Sequence, residues 1–354
     1  MAKRNGMLML AAAGVGGWLA LRTWRTVRGY DLRGKTVVIT GGTRGLGLVL
    51  ARQVAQEQGH LVICARDREE ITTAYEELAA RGARVLAIPC DVRDPGQARE
   101  MIALAQEQFG QIDVLINNAG TIAVGPLETM TVADFQEAMA INFWACVHTT
   151  LAVLPEMRRR GEGRIVNITS IGGKVSMPHL LPYSASKFAL VGLSEGLRSE
   201  LAKDGITVTT VCPGLMRTGS PRNAWFKGQH RAEYAWFAIG DSLFVSSISP
   251  ERAAREILNA CKRGDAEVVL SLPAKCLATF HGLFPGLTSD ILGYVNRMLP
   301  GPGGIGTRSA RGSESESPLA PSWLTKPSDT AAQRNNEMPG HQLANQQRGP
   351  RVNT

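Results

Sequence analysis

Seven short runs of apolar and β-branched residues punctuate the chain, at 36–40, 61–65, 84–89, 112–116, 164–169, 207–211 and 266–271. Between them lie segments whose apolar residues recur at helical spacing, at 45–58, 68–80, 95–109, 132–159, 183–203 and 250–263. No other feature limits the fold so tightly. A strand followed by a helix long enough to return over the sheet pairs in parallel with the next strand, through a right-handed crossover. Parallel sheets are covered on both faces, so their strands read as unbroken apolar runs, as TVVIT at 36–40 and LVICA at 61–65 do. The pattern predicts an α/β chain with a single doubly wound domain, a seven-stranded, mainly parallel sheet between two layers of helices. There is no internal repeat and no second α/β unit.

Of the 354 residues, 44% are hydrophobic and 20% charged, which is apolar material enough for a large core. The net charge of +8 suggests an acidic partner until its placement is read. Residues 1–35 hold seven Lys/Arg against one Asp, and residues 300–354 hold six against four acidic residues. The stretch between carries equal numbers of each sign. A folded part without net charge lacks the basic face that binds nucleic acid, so that partner is excluded. The six cysteines form no CxxC pair, and three lie in or beside apolar runs, as reduced thiols packed in a core do.

The ends differ from the middle. Lys3 and Arg4 precede an uncharged stretch at 5–21 with an apolar heart at 7–21, and Arg22, Arg25 and Arg28 follow. As a helix the heart would span about 22 Å. The hydrocarbon layer is ~30 Å thick, and Trp18, Trp24 and snorkelling arginines can close that gap. A cleaved signal peptide and a loose or docking tail are the rival readings, but no clear small-x-small site precedes the arginines. Residues 1–30 are read as a candidate membrane anchor. The heavier positive charge on its C-terminal side would keep the folded part in the cytoplasm, and a wholly cytoplasmic protein is the alternative. The α/β domain is assigned to 31–272. Residues 273–299 read as a helical appendage broken at Pro285, with Leu287, Ile291, Tyr294, Val295 and Met298 on one face. Packing on the domain is the first reading of that face, a membrane or subunit contact the second. From 300 to 354, Gly, Ser, Pro, Gln and Asn dominate without apolar periodicity, which predicts a disordered tail.

The first strand runs into Gly41-Gly42-Thr43-Arg44-Gly45-Leu46-Gly47 and then a helix. Glycines let the backbone turn tightly and approach a pyrophosphate, and a helix N-terminus offers unpaired N–H groups to an anion. A glycine pattern that ends a first strand and opens a helix has the context of a dinucleotide seat. Further along stand Asn117-Asn118-Ala119-Gly120 after the fourth strand, Asn142 on the next helix and Ser170 ending the fifth strand. Tyr183-Ser184-Ala185-Ser186-Lys187 begins thirteen residues after Ser170, and Pro213-Gly214 follows the sixth strand, with Thr218 beyond. These motifs, in this order, resemble the short-chain dehydrogenase/reductase family over about residues 33–272. The resemblance implies a Rossmann domain and a nicotinamide dinucleotide held by Gly41, Thr43, Arg44, Gly45, Leu46, Gly47, Arg66, Asp91, Val92, Asn118, Ala119, Gly120, Tyr183, Lys187, Pro213, Gly214 and Thr218. It implies a catalytic set of Asn142, Ser170, Tyr183 and Lys187, with no metal.

The residues themselves support that chemistry. Tyr183 and Lys187, four apart on a helix, share one face. A phenol titrates near 10, too high for acid–base work at neutrality, and a neighbouring ammonium stabilises the phenolate. Lowering the pKa by ~3 units takes about 4 kcal/mol, which one cation in a desolvated cleft, helped by the positive nicotinamide of an oxidised cofactor, is expected to supply. Tyr183 would give a proton to a carbonyl oxygen in reduction, or take one from an alcohol in oxidation, while Ser170 holds that oxygen. By resemblance, Lys187 also binds the nicotinamide ribose and Asn142 anchors a water that relays protons to it.

NAD-preferring members of the family end the second strand with an acidic residue. Here Ala65 stands there, followed by Arg66, and Arg44 precedes the second glycine of the motif. Two forked guanidinium groups suit a 2′-phosphate, so NADP(H) is the expected cofactor. NAD(H) is the alternative, because Asp67 stands one residue later than the usual carboxylate. Asp91 matches the family's aspartate near the adenine amino group. Residues 218–249 are the expected substrate lid. Trp225, Phe226, Tyr234, Trp236 and Phe237 cluster there, which suits a pocket for a bulky apolar substrate, plain packing or a membrane-facing patch. His179, with Leu180 and Leu181, stands near the pocket and is expected to be structural. The expected activity is the NADP(H)-dependent interconversion of a lipophilic ketone or aldehyde and its alcohol. The competing reading is a non-catalytic NADP(H) sensor or membrane scaffold. Family analogy adds a homodimer or homotetramer.

Overall fold

A computed structural model describes residues 29–243, 247–322 and 325–338. The candidate anchor, up to residue 28, lies outside the described residues. Seven strands form the main sheet: β1 (Thr36–Thr40), β2 (His60–Ala65), β3 (Val85–Pro89), β4 (Val114–Asn117), β5 (Gly163–Ile168), β6 (Ile206–Pro213) and β7 (Glu267–Leu270). They lie in the order β3-β2-β1-β4-β5-β6-β7. Every pairing is parallel.

The central strands are buried on both faces because their side chains alternate between two helical layers; the edge strands β3 and β7 are partly exposed. Val37 and Ile39 of β1 enter one core, beneath α1 (Gly45–Gln56), α2 (Arg68–Ala80) and α8 (Pro250–Arg263). Val38 enters the other, beneath α3 (Pro95–Phe109), α5 (Ala145–Arg160) and α6 (Leu181–Leu201). Polar residues set the ends of these helices. Asp67 accepts hydrogen bonds from the backbone of Glu69 and Glu70 at the start of α2. Asp94 does the same at α3 ahead of Pro95, and Gly161 and Gly264 close α5 and α8 in the left-handed conformation.

Strand order reverses at β1, whose neighbours β2 and β4 lead the chain in opposite directions. Ligands of open α/β sheets bind at the carboxyl ends of the strands at such a switch point. The glycine turn after β1 and Asn117–Gly120 after β4 stand at this place, so topology brings the two motifs together.

α4 (Val132–Met139) runs through a π-helical turn, Ala140–Trp144, into α5. Among the described residues, this run, Val132–Arg160, is long and apolar enough to cross a membrane. Half of its apolar window is buried inside the protein, as in a core helix.

Two expectations need correction. The appendage does form two helices, α9 (Leu272–Leu283) and α10 (Pro285–Asn296), but the apolar face read as packed points outward. Leu287, Ile291, Tyr294 and Met298 are exposed. Periodicity identifies a face without saying what lies opposite it. Residues 300–322 and 325–338 are ordered where a disordered tail was expected; residues 323–324 and 339–354 of that expectation lie outside the described residues. Ala310–Arg311 pairs antiparallel with Trp225–Phe226, which pairs in turn with Ala123–Val124. A last helix, α11 (Lys326–Arg334), packs on α7 (His230–Ser242). Close backbone contacts between small residues carry this order. Ile305 donates its N–H to Gly228 O, and a Cβ on Gly312 would collide with Pro221 O.

Candidate active site

The glycine turn is fixed by its neighbours. Gly41 and Gly45 have φ of +63° and +54°, in the left-handed region that favours glycine. A Cβ on Gly47 would collide with the carbonyl oxygen of Gly41. Asn118 braces the turn by donating Nδ2 to Thr40 O at 3.0 Å and Gly41 O at 3.1 Å. Thr40 Oγ1 accepts the backbone N–H of Asn118 and of Ala119. Arg44 precedes α1 without a side-chain cap, and Leu46 and Gly47 lie in the first turn.

At the side expected to face the adenosine, Arg44 Nη1 lies 2.8 Å from Glu70 Oε1 and 3.2 Å from Asn223 Oδ1. Thr43 Oγ1 donates to the same Glu70 carboxylate. Arg66 is exposed. Asp91 is gripped by Arg93, with Nη2 at 2.5 Å, and this hydrogen bond holds its carboxyl below the usual range. Val92 is buried, its carbonyl 3.3 Å from His148 Nδ1.

The four expected catalytic residues converge beside this turn. Asn142 sits in the π-helical turn, a local irregularity often found at functional sites. Its Oδ1 accepts Thr121 N–H, and its Nδ2 donates to Thr121 O and to Ser186 Oγ at 2.9 Å. Lys187 is buried, its Nζ 3.0 Å from Ile168 O and 5.7 Å from the centre of the Tyr183 ring. Gly120 leaves the space between these groups open. A Cβ there would stand 3.0 Å from Asn142 Oδ1 and 3.6 Å from Lys187 Nζ. Ser170 Oγ accepts Gly172 N–H at 3.0 Å and lies beside the Tyr183 ring, both within 3.4 Å of where a Gly172 Cβ would be.

Burial pushes the Tyr183 phenol up, to about 12; the Ser170 hydroxyl works against that rise and Asp241 adds to it. Burial pushes the Lys187 amine down, to about 8. The expected lowering of the phenol therefore does not arise from these side chains alone. Desolvation is the largest influence on the phenol and Lys187 is not among the groups that shift it; the lowering expected from the sequence counted on the positive nicotinamide as well.

Pro213 ends β6. Gly214 lets β7 come close, since a Cβ there would stand 2.8 Å from Ser271 Oγ. Thr218 is buried with Oγ1 2.8 Å from Ser220 Oγ. Beyond it, three of the five clustered aromatics, Phe226, Tyr234 and Phe237, are buried and pack edge to face. For these three the packing reading holds. His179 is structural in the way its neighbours show. Its Nδ1 lies 2.8 Å from Glu233 Oε1, and Trp236 Nε1 donates to Glu233 Oε2 at 2.7 Å. The pair ties α7 to the loop that leads into Tyr183. A cavity of about 650 Å³ opens beside that loop, lined among others by Leu127, Met177, His179, Leu181 and Leu292.

The short chain dehydrogenase family model matches residues 35–226 of this sequence. The chain belongs to the short-chain dehydrogenase family. The ketoacyl reductase HetN of a Nostoc species is 40% identical over 241 residues, 68% of this chain and 79% of that protein. Among solved structures, a short-chain dehydrogenase/reductase from Burkholderia phymatum in complex with NAD matches with a TM-score of 0.68 at 25% identity, over 73% of this chain and 96% of that one. A gluconate 5-dehydrogenase from Burkholderia cenocepacia in complex with NADP and tartrate matches with a TM-score of 0.62 at 25% identity, over 70% of this chain and 97% of that one.

In this short-chain dehydrogenase the residues present fit a dinucleotide. The glycine turn is closed to any Cβ at Gly47, and an anion already stands at its mouth: the Glu337 carboxylate, accepting Gly219 N–H at 2.7 Å and lying 2.8 Å from where a Gly45 Cβ would be. Three residues of this site escaped the sequence reading. Glu233 and Asp241 lie in an ordinary-looking helical run, and Glu337 lies in a segment with no pattern at all. Burial pushes Asp241 up to about 8, with Glu337 adding to the rise.

Proposed function

We propose that this short-chain dehydrogenase interconverts a lipophilic ketone or aldehyde and the corresponding alcohol with NADP(H). The convergence of Ser170, Tyr183, Lys187 and Asn142 beside the glycine turn is the observation that carries this reading. When bound, the nicotinamide supplies or accepts the hydride. Tyr183 gives the proton to the carbonyl oxygen in reduction and removes it in oxidation. Ser170 hydrogen-bonds that oxygen and fixes its distance from the phenol. Lys187 keeps a positive charge near the phenolate, and its bond to Ile168 O aims the amine. Asn142 lines the polar space that Gly120 leaves open beside Lys187, where a relay water would sit.

Arg44 and Arg66 support NADP(H), since no carboxylate ends β2. The mostly apolar lining of the cavity near His179 supports a lipophilic substrate, as does a relative named for ketoacyl reduction. The outward apolar face of α10, together with the apolar segment at 7–21, supports a membrane-associated protein whose catalytic part stays on the cytoplasmic side. The discriminating test is Tyr183→Phe against a panel of hydrophobic carbonyls and alcohols, read by NADPH absorbance. Turnover should fall by at least ~100-fold while dinucleotide binding persists. Full retention of turnover would remove Tyr183 as the acid–base group, and no turnover of any compound by the unaltered protein, with dinucleotide still bound, would favour a sensor.

A further inference from the structure

We infer that residues 335–338 are an internal competitor of the dinucleotide, with the Glu337 carboxylate standing where a phosphate would be held. The inference rests on the reading of the glycine turn as a dinucleotide seat. Two backbone N–H groups that a phosphate would use are already taken by the C-terminal segment. Gly45 N, at the opening of α1, donates to Asn335 O at 2.8 Å. Gly219 N, from the loop after β6, donates to Glu337 Oε2 at 2.7 Å. The segment closes the gap between these two walls of the cleft. Asn336 Nδ2 donates to Thr43 O at 3.1 Å, and Asn223 Nδ2 donates to Glu337 O at 3.3 Å.

The contact is built on both sides. Arg52, on the outer face of α1, donates Nη1 to Asn335 Oδ1 at 2.6 Å and Nη2 to Arg334 O at 2.8 Å. Gly219 is close-packed against the segment, where a Cβ would stand 2.6 Å from the Cβ of Glu337 and 2.8 Å from that of Ala332. α11 presents the segment, and its Ser328 Oγ accepts from Ser242 Oγ of α7 at 2.9 Å. A peptide tethered this way faces its site at an effective concentration of order millimolar, so weak contacts suffice to compete with a soluble ligand. A buried carboxylate next to Asp241 is also a poor permanent tenant, because burial raises its pKa, to about 7. Two phosphates, which bring more charge and more acceptor oxygens to the same N–H groups, displace it.

The test compares three full-length proteins: the natural chain, Arg52→Ala, which removes the bonds that hold Asn335 and Arg334, and Glu337→Ala, which keeps the segment but removes the carboxylate. NADPH binding is measured by calorimetry, and hydrogen exchange of residues 326–338 is followed with and without NADPH. The expected result is affinity at least tenfold tighter in both variants, with faster exchange at 335–338 once NADPH binds the natural chain. Equal or weaker binding in the variants, or slower exchange on adding NADPH, would overturn the inference and make the segment a strap over the nucleotide or a bystander. Absence of NADPH and NADH binding in all three proteins would instead overturn the dinucleotide reading, and the competitor with it.

Discussion

Tyr183 and Lys187 show how one cleft displaces two groups in opposite directions. Removal from water disfavours charge, so it raises the phenol and lowers the amine. The order of the motifs pointed to the pair and its four-residue spacing put both heads on one face, but spacing reports proximity and says nothing of how strongly the cleft desolvates them. Asp241 was illegible for the same reason, since an aspartate in a helical run looks solvated until its neighbours are known. On the NADP(H) reading, cofactor choice turns on Arg44. It is paired with Glu70, so a 2′-phosphate must replace a carboxylate that is already in place. Arg44→Ala is expected to weaken NADPH binding about tenfold or more and leave NADH binding nearly unchanged, as read by titration of each nucleotide. Equal loss for both would remove the 2′-phosphate assignment.

At the scale of elements, the main strands lie within two residues of the apolar runs that announce them, because the central strands are buried on both faces and are therefore mostly apolar. The glycine turn and Asn117–Gly120 were legible as motifs, and the switch point between β1 and β4 explains why they meet. The segment after residue 300 was not legible. Its order comes from backbone hydrogen bonds and from glycines that admit a neighbouring carbonyl, and neither leaves a hydrophobic period. Gly312 is one such point, pressed against Pro221 O. Gly312→Val should lift residues 310–322 from the loop at 221–226. Limited proteolysis is expected to cut that segment early while the sheet stays intact. Unchanged resistance would mean that the pairing of Ala310–Arg311 with Trp225–Phe226 tolerates a side chain there.

At the scale of the molecule, the apolar row of α10 and the segment at 7–21 pose one question. Deleting residues 1–28 is expected to move most of the protein from the membrane pellet to the supernatant. The row formed by Leu287, Ile291, Tyr294 and Met298 should keep a residual fraction on lipid vesicles. If the full chain is already soluble and binds no vesicles, membrane association is wrong.

α11 touches α7 through Ser328 and Ser242, and α7 holds the loop beside the cavity through Glu233 and His179. The glycine turn and the loop beside the cavity are thus joined by one short chain of contacts, which on the proposed function links nucleotide and substrate. Thermodynamic reciprocity then applies: whatever factor the nucleotide adds to substrate affinity, the substrate must return to the nucleotide, and cutting the link should leave two compartments that fill without regard to each other.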